Sequence, residues 1–195
     1  MIRVGTVERQ TNETNISVTV SLDGSGRSQV QTGIGFFDHM LILWTKHGLF
    51  DLTAAVDGDL HIDGHHTVED TGIVLGQAFV QALGDKAGIK RYGNAFVPMD
   101  ETLAQVCVDI SGRPFLHYEA AIAAERVGTF DTELVEEFLR ALAQHAGLTL
   151  HVRVLYGKNA HHMIEAIFKA LARALAEAVQ RDERISGVMS TKGSL

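Results

Sequence analysis

The chain has 195 residues, 46% hydrophobic and 21% charged, with only two prolines and a formal net charge of −7 at pH 7. That balance suits one compact domain with a sizeable core and argues against a nucleic-acid partner, because phosphate-backbone binding needs a dense positive surface. It lacks an 18-residue apolar run, and its N-terminal MIRVG has no apolar leader core, so a soluble, cytoplasmic protein without membrane contact is expected. The single Cys107, in the alternating run LAQVCVDI, fits a reducing compartment and reads as a core thiol.

In chain order, NISVTVSL (15–22) alternates apolar and polar residues and predicts a strand. A helix follows over about 36–47, then a short strand in LFDLTAAV and a second helix over about 66–83 that opens with His65, His66 and Glu69. The order then recurs: a strand in AQVCVDI, a helix over about 132–145, a strand in LTLHVRVL and a helix over about 161–180 that opens with His161, His162 and Glu165. GTVERQTNETNISVTVSL aligns with GNAFVPMDETLAQVCVDI, pairing Gly5 with Gly93, Glu13 with Glu101 and Thr14 with Thr102. FFDHMLILWTKHGLFDL aligns with LVEEFLRALAQHAGLTL, setting His39 against Glu137 and His47 against His145.

The chain is therefore duplicated, with repeats at about 1–87 and 88–186 and a tail at 187–195, together a single domain. Neither half can close a core alone, so the expected fold is α+β, with helices packed between two β-sheets. GIGFFD is no dinucleotide fingerprint, since a third glycine is missing after Gly33 and Gly35.

Imidazole and carboxylate are natural ligands for zinc, manganese or iron, and His-x-x-Glu on a helix puts both on one face. Neighbouring histidines diverge by about 100° around a helix, so each pair can serve two different ions and two such helices can build two related sites. His39 and its repeat partner Glu137 are the natural additional ligands. A donor set without thiolate favours manganese over zinc, and the HExxH of zinc proteases is absent. His47 and His145 end helices, while His61, His117 and His151 sit in strand-like runs and are given no metal role.

TGIGFFDHML, DGHHTVEDTG, GKNAHHMIEA and the terminal STKGSL resemble the signature segments of the imidazoleglycerol-phosphate dehydratase family over nearly the whole chain. The resemblance implies two like halves, a hollow cubic homo-oligomer of 24 copies with active sites at subunit contacts, and two Mn²⁺ ions per site. It implies His39, His65, His66, Glu69, Glu137, His161, His162 and Glu165 as metal ligands, although many members carry histidine where this chain has Glu137 in VEEF. The implied activity is a lyase step of histidine biosynthesis: loss of water from D-erythro-imidazoleglycerol phosphate to give imidazoleacetol phosphate, through a dimanganese-bound imidazolate and a diazafulvene-like intermediate. Catalytic duty falls by resemblance on Glu13, Glu69 and Glu165, with Glu13 as acid/base, and substrate binding on Glu13, Arg91, Arg113, Lys169, Ser190 and Lys192. Two rival readings use the same ligands: a dinuclear metallohydrolase and a non-catalytic protein whose histidine sites staple copies together.

Overall fold

The computed structural model describes residues 3–195 and shows the duplication directly. The first half runs β1 (Val4–Gln10), β2 (Thr14–Ser21), β3 (Ser28–Gln31), α1 (Gly35–Gly48), β4 (Asp51–Gly58) and α2 (His65–Leu83). The second runs β5 (Tyr92–Met99), β6 (Thr102–Asp109), β7 (Phe115–Glu119), the short hairpin β8 (Arg126–Val127) and β9 (Phe130–Asp131), α3 (Leu134–Ala146), β10 (Thr149–Tyr156) and α4 (Ala160–Ala178). The sheets have matching strand orders, β1-β2-β4-β3 and β5-β6-β10-β7, each with a final parallel pair.

Periodicity explains the layering. In β2 and β6 alternate residues are buried, and along α4 Ile164, Ile167, Phe168, Leu171 and Leu175 are fully buried on one face. The long helices cover the inner sheet faces, α2 on β1 and β2 and α4 on β5 and β6. The shorter helices are exchanged: α1 of the first half packs on α4, and α3 of the second half on α2. One apolar core therefore runs through both halves, and the exchange places His39 of α1 beside the first turn of α4.

Two expectations are corrected. Cys107 is not a core thiol: Ala104, Val106 and Val108 take the buried phase of β6, so the alternation turns Cys107 to the outer face, half-buried near Gln105. His61 lies in a turn rather than a strand, in the connection between β4 and α2. Among the described residues no helix is long and apolar enough to cross a membrane.

Candidate metal centre

The first turn of α4 and the start of α1 make the densest donor cluster. Among the described residues, only His39, His161 and Glu165 form a group that brings one donor atom each to within 4.8 Å of the others. The His161 Nε2 lies 3.1 Å and the His39 Nε2 3.5 Å from Glu165 Oε2. Asp38 fixes the start of α1 by accepting from the Thr32 amide at 2.8 Å and the Thr32 hydroxyl at 2.6 Å. Phe36 meets the His161 ring edge-on at 5.1 Å and packs on Phe130 of β9, which limits how that imidazole turns.

Glu165 is buried, and its second oxygen, Oε1, lies 2.6 Å from the Lys169 ammonium one turn further on. Burial pushes its carboxyl up; Lys169, His161 and His39 together outweigh that and hold it below the usual carboxylate range. Two imidazoles and one carboxylate on a common point form a facial set that leaves open positions, a donor chemistry suited to an octahedral divalent cation.

Within each adjacent pair the ring planes meet at 81°, with centroids 6.0 and 6.2 Å apart. The first histidine faces the glutamate one turn on, His65 at 3.7 Å from Glu69 and His161 at 3.1 Å from Glu165. The second faces loop carboxylates: His66 Nδ1 lies 2.9 Å from Asp59, and His162 Nδ1 2.8 Å from Glu101. These contacts raise both imidazole pKa values above the ordinary one. A carboxylate on Nδ1 also fixes the tautomer and leaves Nε2 as the ligating atom, a common device behind metal-bound histidine. The Nε2 of His66 lies 3.7 Å from Glu13.

Glu137 sits half-buried on α3, which packs on α2, but Glu137, His65 and Glu69 do not converge as their repeat counterparts do. With glutamate where the first half has His39, two of those three donors are carboxylates, which repel each other without a cation between them.

The cationic residues divide into two places. Arg91 binds Asp109 through Nε at 2.6 Å and Nη2 at 3.0 Å, and donates from Nη1 to the Met189 carbonyl at 2.7 Å. Arg113, with its side chain 69% exposed, lies 3.9 Å from the same Asp109. Ser190 lines a surface cavity of about 700 Å³ with Arg91 and Arg184, and its hydroxyl accepts from the Lys192 amide at 3.2 Å. Lys169 is not part of this group in one chain, because it reaches back to Glu165. Sequence reasoning missed Asp59, which lies in a connection that has no counterpart of equal length in the second half, and Glu101, which the repeat had paired with Glu13.

A sequence model of the family described as imidazoleglycerol-phosphate dehydratase matches residues 32–175. The chain belongs to that family. It is 61% identical over 189 residues to the imidazoleglycerol-phosphate dehydratase of Acetivibrio thermocellus, covering 97% of both chains. With that of Symbiobacterium thermophilum it shares 64% identity over 193 residues, or 99% of this chain and 93% of the relative. The crystal structure of the dehydratase from Staphylococcus aureus superposes with a TM-score of 0.84 at 46% identity, covering 92% of this chain and 99% of that one. The enzyme from Pyrococcus furiosus, solved in complex with (S)-C348, gives the same TM-score of 0.84 at 36% identity over 97% of this chain and 100% of that one. The stretch matched to the dehydratase family contains His39, both His-His-x-x-Glu motifs and Glu137.

Proposed function

We propose that the chain removes water from D-erythro-imidazoleglycerol phosphate to give imidazoleacetol phosphate, in histidine biosynthesis, with two Mn²⁺ ions per active site. The observation that carries this reading is the convergence of His39, His161 and Glu165 in a member of the dehydratase family. The ligands would be that group together with His65, His66, Glu69, Glu137 and His162, and the oriented Nδ1 atoms of His66 and His162 fit them for the task. When bound, the ions supply Lewis-acid polarisation of the substrate's imidazole and a template that holds it.

The remaining duties fall on the chain's own side chains. The proton to be lost sits on a carbon without an adjacent carbonyl, so a positioned acid/base must handle it beside the polarised ring. Glu13 is suited to this, because its carboxylate is 53% exposed and lies 3.7 Å from His66 Nε2. Arg91, Arg113, Ser190 and Lys192 offer guanidinium, hydroxyl and ammonium donors to a phosphate, with Lys169 joining from the metal cluster. The ligands of one chain stand in separate groups, which supports a homo-oligomer with sites completed at subunit contacts, the 24-copy cage of the family being the arrangement proposed. A cytoplasmic setting belongs to the same reading.

The test is an assay of metal-stripped protein with the substrate, with and without Mn²⁺, following enolised imidazoleacetol phosphate by absorbance. Manganese-restored turnover is expected; release of inorganic phosphate without that product would move the hydrolase reading ahead. Arg113→Ala should raise KM by about tenfold or more, the scale of one lost charge-assisted contact, and leave manganese content intact.

A further inference from the structure

The two repeats solve the same packing problem differently around one pair of glutamates. In the first, the buried Thr14 hydroxyl donates to Asp70 Oδ2 at 2.5 Å, and Arg9 Nη1 lies 2.5 Å from the same oxygen, out of line for a hydrogen bond. Asp70 is only 6% exposed. At the matching positions the second repeat has Val97 for Arg9, Ala166 for Asp70 and again a threonine, Thr102, all buried. An apolar pair therefore fills this space in the same fold. Asp70 is buried but the Arg9 side chain is 32% exposed, so the pair is partly screened by solvent, and exchanging such a pair for apolar residues is often neutral. Stability is a weak reason for the charges kept in the first repeat.

What differs is the state of the neighbouring glutamate. Thr102, with no carboxylate behind it, donates its hydroxyl to Glu101 Oε1 at 3.3 Å. Glu101 also accepts from the Lys158 and Asn159 amides at 3.1 and 2.8 Å and holds His162 Nδ1 at 2.8 Å, so both of its oxygens are committed. Glu13 has none of these contacts. Asp59 takes the imidazole that Glu101 takes in the other half, and Asp70 takes the threonine hydroxyl. The Glu13 backbone is held on both sides, its amide donating to Thr11 Oγ1 at 3.1 Å and its carbonyl accepting from the Asp59 amide at 3.1 Å.

We propose that Asp70 is a positioning residue for Glu13: by accepting the Thr14 hydroxyl it anchors the turn that carries Glu13 and leaves the Glu13 carboxylate free of the threonine hydrogen bond, 3.7 Å from His66 Nε2. This rests on the reading of Glu13 as the acid/base. The charged pair is kept for geometry, and the second repeat shows the form the site takes without it.

The test gives the first repeat the second repeat's residues, as Arg9→Val/Asp70→Ala in the full-length, manganese-loaded protein. The expected result is a fall in kcat of about ten- to a hundredfold with KM within about twofold, the pattern of a misplaced reacting group, while melting temperature and manganese content stay at the parent values. Retained kcat overturns the proposal, and so does a loss of manganese in step with kcat, which would make Asp70 a support of Glu69 instead. Should the double variant fail to fold, Thr14→Val is expected to lower kcat and Thr14→Ser to restore most of it. Parent-like kcat in Thr14→Val overturns the proposal. Glu13→Gln is measured alongside, since full turnover there overturns the reading of Glu13 itself.

Discussion

A buried carboxylate needs a counter-charge, and Glu165 has taken an ammonium from its own helix. Lys169 lies 2.6 Å from Glu165 Oε1 while the two imidazoles face Oε2, so one carboxylate serves a lysine on one side and the candidate cation position on the other. A divalent cation entering that cluster meets the lysine charge at short range and must either displace it or bind against it. Lys169→Met keeps most of the length of the side chain and removes the charge. It is expected to tighten Mn²⁺ binding by about tenfold, a modest share of the repulsion between charges a few ångströms apart, read from free Mn²⁺ by electron paramagnetic resonance. KM for the phosphorylated substrate should rise in the same variant if Lys169 also serves the phosphate. The two changes run in opposite directions, which a general loosening of the fold would not produce, and unchanged Mn²⁺ affinity would show that Lys169 leaves Glu165 freely.

At the scale of elements, the repeats meet their helices through matched glycines. A Cβ on Gly5 would sit 1.9 Å from the Ala78 carbonyl oxygen, and one on Gly93 1.9 Å from that of Ala174, so β1 and β5 touch the backbones of α2 and α4. Gly93→Ala is expected to destabilise the protein by about 2–3 kcal/mol, the cost of forcing packed elements apart, with Gly5→Ala close behind; an unchanged melting temperature would mean that β5 slides along α4 without penalty. The Gly5–Gly93 pairing was legible in the sequence alignment, as were all four long helices, whose observed ends lie within two residues of those expected. The exchange of α1 and α3 between halves was not, because an amphipathic pattern shows that a face is buried and not what buries it. The phase of β6 was also misread at Cys107, since the neighbouring valines and the cysteine are all apolar and only the packing of α4 decides which set turns inward. In the site, the histidine pairs and the glutamates one turn on were visible as spacing. Asp59 and Asp70 were not, because no periodicity marks an acid that acts through a loop or behind another residue.

For the whole molecule, the count of donors sets the limit. Octahedral coordination takes six donors, and the densest group in one chain supplies three residues, His39, His161 and Glu165. His65 and Glu69 stand apart from that group with 43% of each side chain exposed, available to something outside the chain. Exposed Tyr92, Phe96 and Phe115 on the second sheet and Ile62 beside the α2 start offer apolar surface for contact between copies, but each copy brings a formal charge of −7. Like-charged copies repel, so cations held between carboxylates and imidazoles of neighbouring chains would both link the copies and neutralise them. In the homo-oligomer proposed above, chelation is therefore expected to release smaller species on sizing, and added Mn²⁺ to restore the large one. Because screening shortens repulsion to about 3 Å at 1 M salt, high salt without metal should slow the dissociation without restoring coordination. An unchanged elution volume after complete metal removal would mean that the apolar contacts alone hold the copies, and that the ions serve the substrate only.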